Sequence, residues 1–443
     1  MTSYRLMRLC IGGPYFEMFF RFIDQHAELS FEDTIQQCRE NGFLYPGSLK
    51  RELEKQGAEV MEVLVDVEPL QRKWLDENGF DPYVPFDKND VFFRQLKTFK
   101  PEVVHFQTFL ALAPEVRRRI KEECPSVRLV VGHRGFPIED CTGYEDVDAV
   151  FLGYPRFHDR WHAVGVKTFF HLHCFDEALL SSIEERARTM EPVPFSFLGT
   201  TGWGFGPHDG RYYDLRRVLE TTDLVVFGNE PENKPTIADR MPLNMSMRVR
   251  HLAIEILRRL PEKGLRAVHK IGQYSTPMLM RAAEAGMRRK KFGPEPPPVA
   301  PNQEDFWYFK EKPLRELYPD RIHPPRFGVD YFAQLAASRV TWNRHLEMDG
   351  AGANMRLFEA CGVGACQLVD YRDEVIEAYR EDEEVVIYRS IDECIEKARW
   401  LLDNEEDRQR IAAAGQRRTL TDHTVSRRAG ELDKHFRQLL NRQ

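Results

Sequence analysis

The stretch from Asn343 to Asp370 holds residue types suited to binding an anion. Asn343-Arg-His345 closes a strand-like run, Ser338-Arg-Val-Thr-Trp342. A glycine-rich segment, Asp349-Gly-Ala-Gly-Ala353, then leads into Asn354-Met-Arg-Leu-Phe-Glu359. Asparagine is a favoured N-cap, so a helix is expected to begin near Asn354. A helix start leaves backbone N–H groups free and carries the positive end of the dipole, and both favour phosphate. Arg356 falls in that first turn and adds a cation suited to a diphosphate. Glu359 lies one turn further along the same face. An ionised carboxylate there can accept hydrogen bonds from two vicinal hydroxyls, as on a ribose. A capped helix with a solvated Arg–Glu pair satisfies the same spacing.

To gather such groups, the chain must bring strand ends together. Arg5–Ile11, Glu59–Val65, Val103–Gln107, Val127–Val131, Ala149–Leu152 and Lys167–Phe170 read as strands, with helices over Ser48–Gln56 and Glu115–Glu123. A second series follows: strands at Phe195–Leu198, Leu224–Phe227, Ser338–Trp342, Ala365–Val369 and Val385–Tyr388, and helices over Met355–Cys361 and Asp392–Leu402. This alternation predicts βαβ units and parallel sheets. The class is α/β, with two tandem doubly wound, Rossmann-like domains. The expected division is an N-terminal domain over 1–176, a hinge over 177–194 and a C-terminal domain over 195–425. The irregular segment 231–325 is expected as an insertion in the second domain. It holds a helical run at Met247–Leu260, the proline-rich Pro294–Pro301 and the aromatic Phe306–Phe309. Residues 426–443 form a last helix that can cross back to the first domain.

Open α/β sheets bind ligands beyond the carboxyl ends of their strands. Candidates at such ends are Gly12 and Gly13, His133 and Arg134, and Gly199-Thr200-Thr-Gly202. A glycine pair lets a loop approach a ligand closely. The Gly199–Thr200 turn can present N–H groups to a diphosphate, or be a plain strand–helix connection. Arg211 opens the following helix, either as a phosphate contact or as a surface arginine. His171-Leu-His173 could share a strand face, but nothing nearby completes a ligand set, so no metal is expected.

Formal net charge is −7, and the charges of both signs are interspersed. No basic domain or arm is present, which argues against nucleic acid as partner. No apolar run reaches the roughly 18 residues of a membrane span. The first residues lack the apolar core of a secretory signal. The eight cysteines are scattered without a Cys-x-x-Cys pair, as expected in a reducing compartment. A cytoplasmic protein is expected.

From Phe327 onward the chain resembles the spore-maturation-protein-B-like (CgeB-like) branch of group 1 glycosyltransferases. The matching residues are Phe327-Gly-Val-Asp-Tyr331, Leu335-Ala-Ala-Ser-Arg-Val340, Asn343-x-His345, Asn354–Ala360, Gly364, Asp370, Arg408–Gly415 and Asp422-His-Thr424 with Arg427. Phe195–Gly199, His208 and Arg211 resemble the start of the same donor domain, and Leu44–Ser48 the family's N-terminal domain. The resemblance implies a GT-B fold whose two domains face across a cleft. The C-terminal one would hold a nucleoside-diphosphate sugar. It implies transfer to a sugar, lipid-linked, protein or small-molecule acceptor, with retention, no metal and no cofactor beyond the donor, in bacterial-type polysaccharide or glycoconjugate synthesis. Glu359 then matches the ribose ligand, with Arg356, Asn354, Gly199, Thr200, Arg211, Asn343 and His345 as donor contacts. His133 takes the position of a histidine that approaches the donor sugar. Gly12, Gly13 and Arg134 would line the acceptor side. Related transferases often carry a second glutamate where this chain has Ala351. The rival readings are a GT-B nucleotide-sugar epimerase and a non-catalytic GT-B-like binding subunit.

Overall fold

The computed structural model describes residues 3–12, 16–82, 86–135, 141, 143–154, 158–203, 209–228, 230, 311–345 and 352–441. The chain divides into two compact units. One comprises Met1–Trp203, Pro207–Asn229 and Lys312–Gln443; the other comprises Gly204–Gly206 and Glu230–Glu311, of which only Glu230 and Glu311 are described. Met247–Leu260, Pro294–Pro301 and Phe306–Phe309 lie outside the described residues.

The first unit holds two six-stranded sheets with every pairing parallel. β1 (Tyr4–Cys10), β2 (Ala58–Leu64), β3 (Val103–Phe106), β4 (Leu129–Arg134), β5 (Ala149–Leu152) and β6 (Lys167–Phe170) run in the order β2-β1-β3-β4-β5-β6. β7 (Val193–Leu198), β8 (Val225–Phe227), β9 (Ile322–His323), β10 (Ser338–Asn343), β11 (Cys366–Asp370) and β12 (Val386–Tyr388) run β12-β11-β10-β7-β8-β9. Strand order reverses between β1 and β3 in one sheet and between β7 and β10 in the other. Crevices for ligands open at such reversals.

Most strands are continuous apolar runs, because helices cover both faces. Two expected elements differ. The helix over Glu115–Glu123 is split into Pro114–Arg117 and Ile120–Glu123. The strand expected over Val127–Val131 runs instead from Leu129 to Arg134, where Arg134 pairs with Leu152. Gly132 lies inside it because a Cβ there would stand 2.7 Å from the Phe109 ring. His133 and Arg134 are therefore the last two residues of the strand rather than lying beyond its end.

Two segments connect the sheets side by side. Phe175 N–H donates to His423 O (2.8 Å), and Val425 N–H donates to Phe175 O (3.0 Å). Asp176, buried here, accepts from the Ser48 N–H and hydroxyl (2.8 and 2.5 Å). The helix Val425–Leu440 then lays Val425, Ala429, Leu432 and Phe436 onto Leu6, Val103, Val131 and Phe151 of the first sheet. Helix Met355–Gly362 abuts the crossing so closely that a Cβ on Gly362 would come within 2.2 Å of the Phe175 ring.

Candidate functional site

β7, β10 and β11 are neighbours, and their carboxyl ends deliver Gly199, Arg344 and Asp370 to one place. Helix Met355–Gly362 starts above them. Asn354 caps it, accepting the Leu357 N–H at 3.1 Å, while the remaining first N–H groups of a helix have no intrahelical acceptor. The cap is itself locked. Asn343 and Asn354 exchange amide hydrogen bonds (2.9 and 2.8 Å), and Asn343 also donates to Gln367 Oε1 (3.1 Å). His345 Nε2 accepts the Asn354 N–H at 3.1 Å, which places its proton on Nδ1, 2.7 Å from Asp370 Oδ1. Burial works against charge on Asp370, but His345 and Arg344 hold its carboxyl well below the usual carboxylate range. Asn343 and His345, expected as donor contacts, therefore stand behind the helix start with their polar atoms committed to it.

Three guanidinium groups converge in front of that layer. Arg211, from the helix Asp209–Thr221, is buried and donates to Thr200 Oγ1 (3.0 Å) and the carbonyl oxygens of Thr200 and Arg344 (3.3 and 2.8 Å). Arg356 and Arg211 both lie over the Phe197 ring, at 5.1 and 5.7 Å from its centroid. Arg344 pairs with Asp214 (2.8 Å) and Asp370 (3.3 Å). Among the described residues neither Arg211 nor Arg356 forms a salt bridge with a carboxylate, and the Nε of each is buried with no acceptor. Burial, then the like charges of Arg356 and Arg344, lower the Arg211 pKa to about 9. Gly199 is required here: its φ is +146°, and a Cβ would fall 2.4 Å from Arg356 Nη2. Gly199, Thr200, Arg211, Asn354 and Arg356 are thus brought together.

Glu359 is 5% exposed, so it is not half of a solvated pair. Its Oε2 accepts the Tyr331 hydroxyl at 2.7 Å. Burial raises its pKa, against the pull of Tyr331 and Arg356. Tyr331, Phe197 and Arg344 carry much of this site, yet sequence reasoning singled out none of the three as a site residue. Tyr331 lay inside the matched run Phe327–Tyr331, which was the available signal.

The first-sheet candidates are placed differently. The Gly12 N–H donates to Asp66 Oδ1 at 2.8 Å and Gly12 is buried; Gly13 lies outside the described residues. Arg134 is half-buried at the end of β4. His133, half-buried, packs its ring 4.9 Å from both His105 and His171. Burial, then His173 and Arg8, lower its pKa to about 3. His171 and His173 follow β6 rather than sharing a strand face. His208 and Ala351 lie outside the described residues.

Known structures match this arrangement of two parallel six-stranded sheets. The fold is GT-B. Sucrose-phosphate synthase from Thermosynechococcus elongatus aligns with a TM-score of 0.53 at 8% identity, over 99% of this chain and 100% of that one. HepE from Anabaena, in complex with UDP-glucose, gives 0.52 at 10% identity, over 98% and 100%. A glycosyltransferase from Rickettsia africae gives 0.50 at 9% identity, over 99% of each chain. These likenesses are of the GT-B fold alone. By sequence, residues 276–434 match the family described as Glycosyl transferase-like. None of the curated proteins matches the chain. Among the described residues, no helix is long and apolar enough to cross a membrane.

Proposed function

We propose that this GT-B chain is a glycosyltransferase that takes a sugar from a nucleoside-diphosphate sugar, within the CgeB-like branch. The observation that carries the reading is the surplus of cationic charge at the β7–β10 reversal. Arg211 and Arg356 share one aromatic face without a salt bridge to any carboxylate among the described residues, beside a capped helix start. A diphosphate supplies the missing charge. Its oxygens would take hydrogen bonds from Arg356, the first N–H groups of Met355–Gly362 and the Gly199–Thr200 turn, while Glu359 accepts from the ribose hydroxyls. The match of residues 276–434 to a glycosyltransferase-like family supports the same reading.

The reaction breaks the bond between the anomeric carbon and the diphosphate oxygen. It forms a bond from that carbon to an acceptor oxygen, which gives up its proton. Charge accumulates on the leaving diphosphate, and preorganised guanidinium groups stabilise it there in place of a metal. His133, at the end of β4, is the candidate to approach the donor sugar from the first sheet. Transfer with retention follows from the family resemblance. Eight free, buried cysteines support a reducing, cytoplasmic setting.

Thermal-shift titrations with UDP, ADP and GDP test the donor site. At least one should raise Tm, and Arg356→Ala should weaken that nucleotide by about tenfold or more. If no nucleotide moves Tm in the intact chain, the transferase reading fails. The anomeric configuration of any product, read by NMR, decides retention.

A further inference from the structure

Four histidines cross the carboxyl end of the first sheet. His105 belongs to β3, His133 to β4, and His171 and His173 follow β6. The rings of His105, His133 and His171 stand in sequence, with centroids 4.9 Å apart at each step. His105 is 1% exposed, and neither of its ring nitrogens has a hydrogen-bond partner. Buried polar groups are nearly always satisfied, so an orphaned imidazole signals a missing group. His133 and His171 are half-buried and also lack a partner among the described residues. His173 has only the Tyr45 hydroxyl, 3.4 Å from Nδ1.

The charged groups around the row sharpen the point. Arg8 of β1 lies beside it and is paired with Glu62 of β2. Arg428 of the C-terminal helix lies at its other end, paired with Glu431. His435 of the same helix packs on Phe169, and its Nδ1 is also unpartnered. The four imidazoles have no ion pair with a carboxylate among the described residues; the paired histidine is His345. The row starts in β3, at the strand-order reversal of the first sheet, where a doubly wound domain binds ligands.

We propose that this row is an oxyanion pocket, and that the acceptor of the transfer bears a phosphate or carboxylate that docks there. The pocket follows from the geometry alone; its assignment to the acceptor rests on the transferase reading. Burial and mutual repulsion keep the imidazoles neutral, and an entering anion removes the obstacle to their protonation. Anion binding therefore takes up protons and tightens as pH falls.

The test is calorimetric titration of the full chain with inorganic phosphate at pH 8, 7 and 6, with UDP saturating so that the second-sheet site is filled. Phosphate should bind, with affinity rising several-fold per pH unit and heats that depend on buffer ionisation. His171→Gln and His173→Gln should each weaken phosphate about tenfold at pH 8 while the UDP affinity and Tm at that pH stay unchanged. Absence of phosphate binding, or parental phosphate affinity in both variants, overturns the pocket. Should UDP itself fail to bind, the transferase reading falls separately, and phosphate is then titrated into Arg356→Ala, where the pocket must still respond to pH. Glucose 6-phosphate and glucuronate, each against glucose, tell a phosphate acceptor from a carboxylate one. If neither acidic sugar competes with phosphate, the acceptor assignment is refuted.

Discussion

Lowering the pH from 8 to 5 should destabilise this protein through its buried histidines. Burial is the main cause in every case: His133 is pushed down to about 3, and His173 and His423 to about 4, from an ordinary value near 6.5. Arg428 adds to the effect at His173 and His423, as His173 and Arg8 do at His133. His105 and His171 are also held well below the ordinary value. In the unfolded chain these groups titrate near 6.5. Between that pH and their folded values, only the unfolded chain binds the proton. The stability they confer is therefore complete above about pH 6.5 and is lost as pH falls towards 4. One pKa unit is worth about 1.4 kcal/mol, so each loses about 2 kcal/mol by pH 5, and the three together about 6. Such a loss rivals the whole margin of a typical domain, about 5–15 kcal/mol. Scanning fluorimetry from pH 8 to 5 at fixed ionic strength should show Tm falling by about 10 °C, with the bend starting near pH 6.5. His105→Leu removes an imidazole that has no hydrogen bond to lose, and it should flatten the curve. A Tm constant to about 2 °C down to pH 5, or a bend only below pH 4, where groups such as Asp370 titrate, would refute the reasoning.

Other perturbations address the second sheet. Gly199→Ala places a Cβ 2.4 Å from Arg356 Nη2 at a φ of +146°; it should weaken UDP about tenfold in calorimetry and, through that backbone strain, also lower Tm. Tyr331→Phe removes the hydroxyl that Glu359 Oε2 accepts at 2.7 Å, so the carboxyl pKa, already raised by burial, rises further. A protonated Glu359 is a poorer acceptor, so UDP affinity in this variant should fall more steeply from pH 8 to 6 than in the parent. Gly362→Ala drives a methyl into the Phe175 ring, 2.2 Å from the Cβ position; it should cost about 1–3 kcal/mol in denaturant unfolding, partly recovered by adding Phe175→Leu.

Much of the donor side was legible because its signals are local. Asn354 as cap follows from side-chain chemistry within three residues, and the structure shows the bond to Leu357 N–H. Strand ends expected at Leu198, Trp342 and Val369 follow from apolar runs meeting polar residues, and the strands end at Leu198, Asn343 and Asp370. The histidine row was not legible. Its members come from three places in the chain, and only the sheet order sets His105 beside His133 and His133 beside His171. His133 read alone is a single strand-end imidazole; its neighbours make it one of a set. The later end of β4 has the same origin, since pairing with β5 extends the strand past Gly132 to include His133.

The roles of Asn343 and His345 separate what spacing can establish from what it cannot. Spacing placed both at the end of β10, facing the anion site. There, a side chain can touch the ligand or hold what touches it, and the choice depends on distant partners. Asp370, 25 residues from His345, takes the Nδ1 proton and leaves Nε2 to accept from Asn354. Gln367, 24 residues from Asn343, completes the amide pair. With those atoms committed, Arg211 and Arg356 are the groups left to meet the proposed diphosphate. The two cations share the Phe197 face without a salt bridge to a carboxylate among the described residues, an arrangement that costs free energy and that a bound anion would relieve.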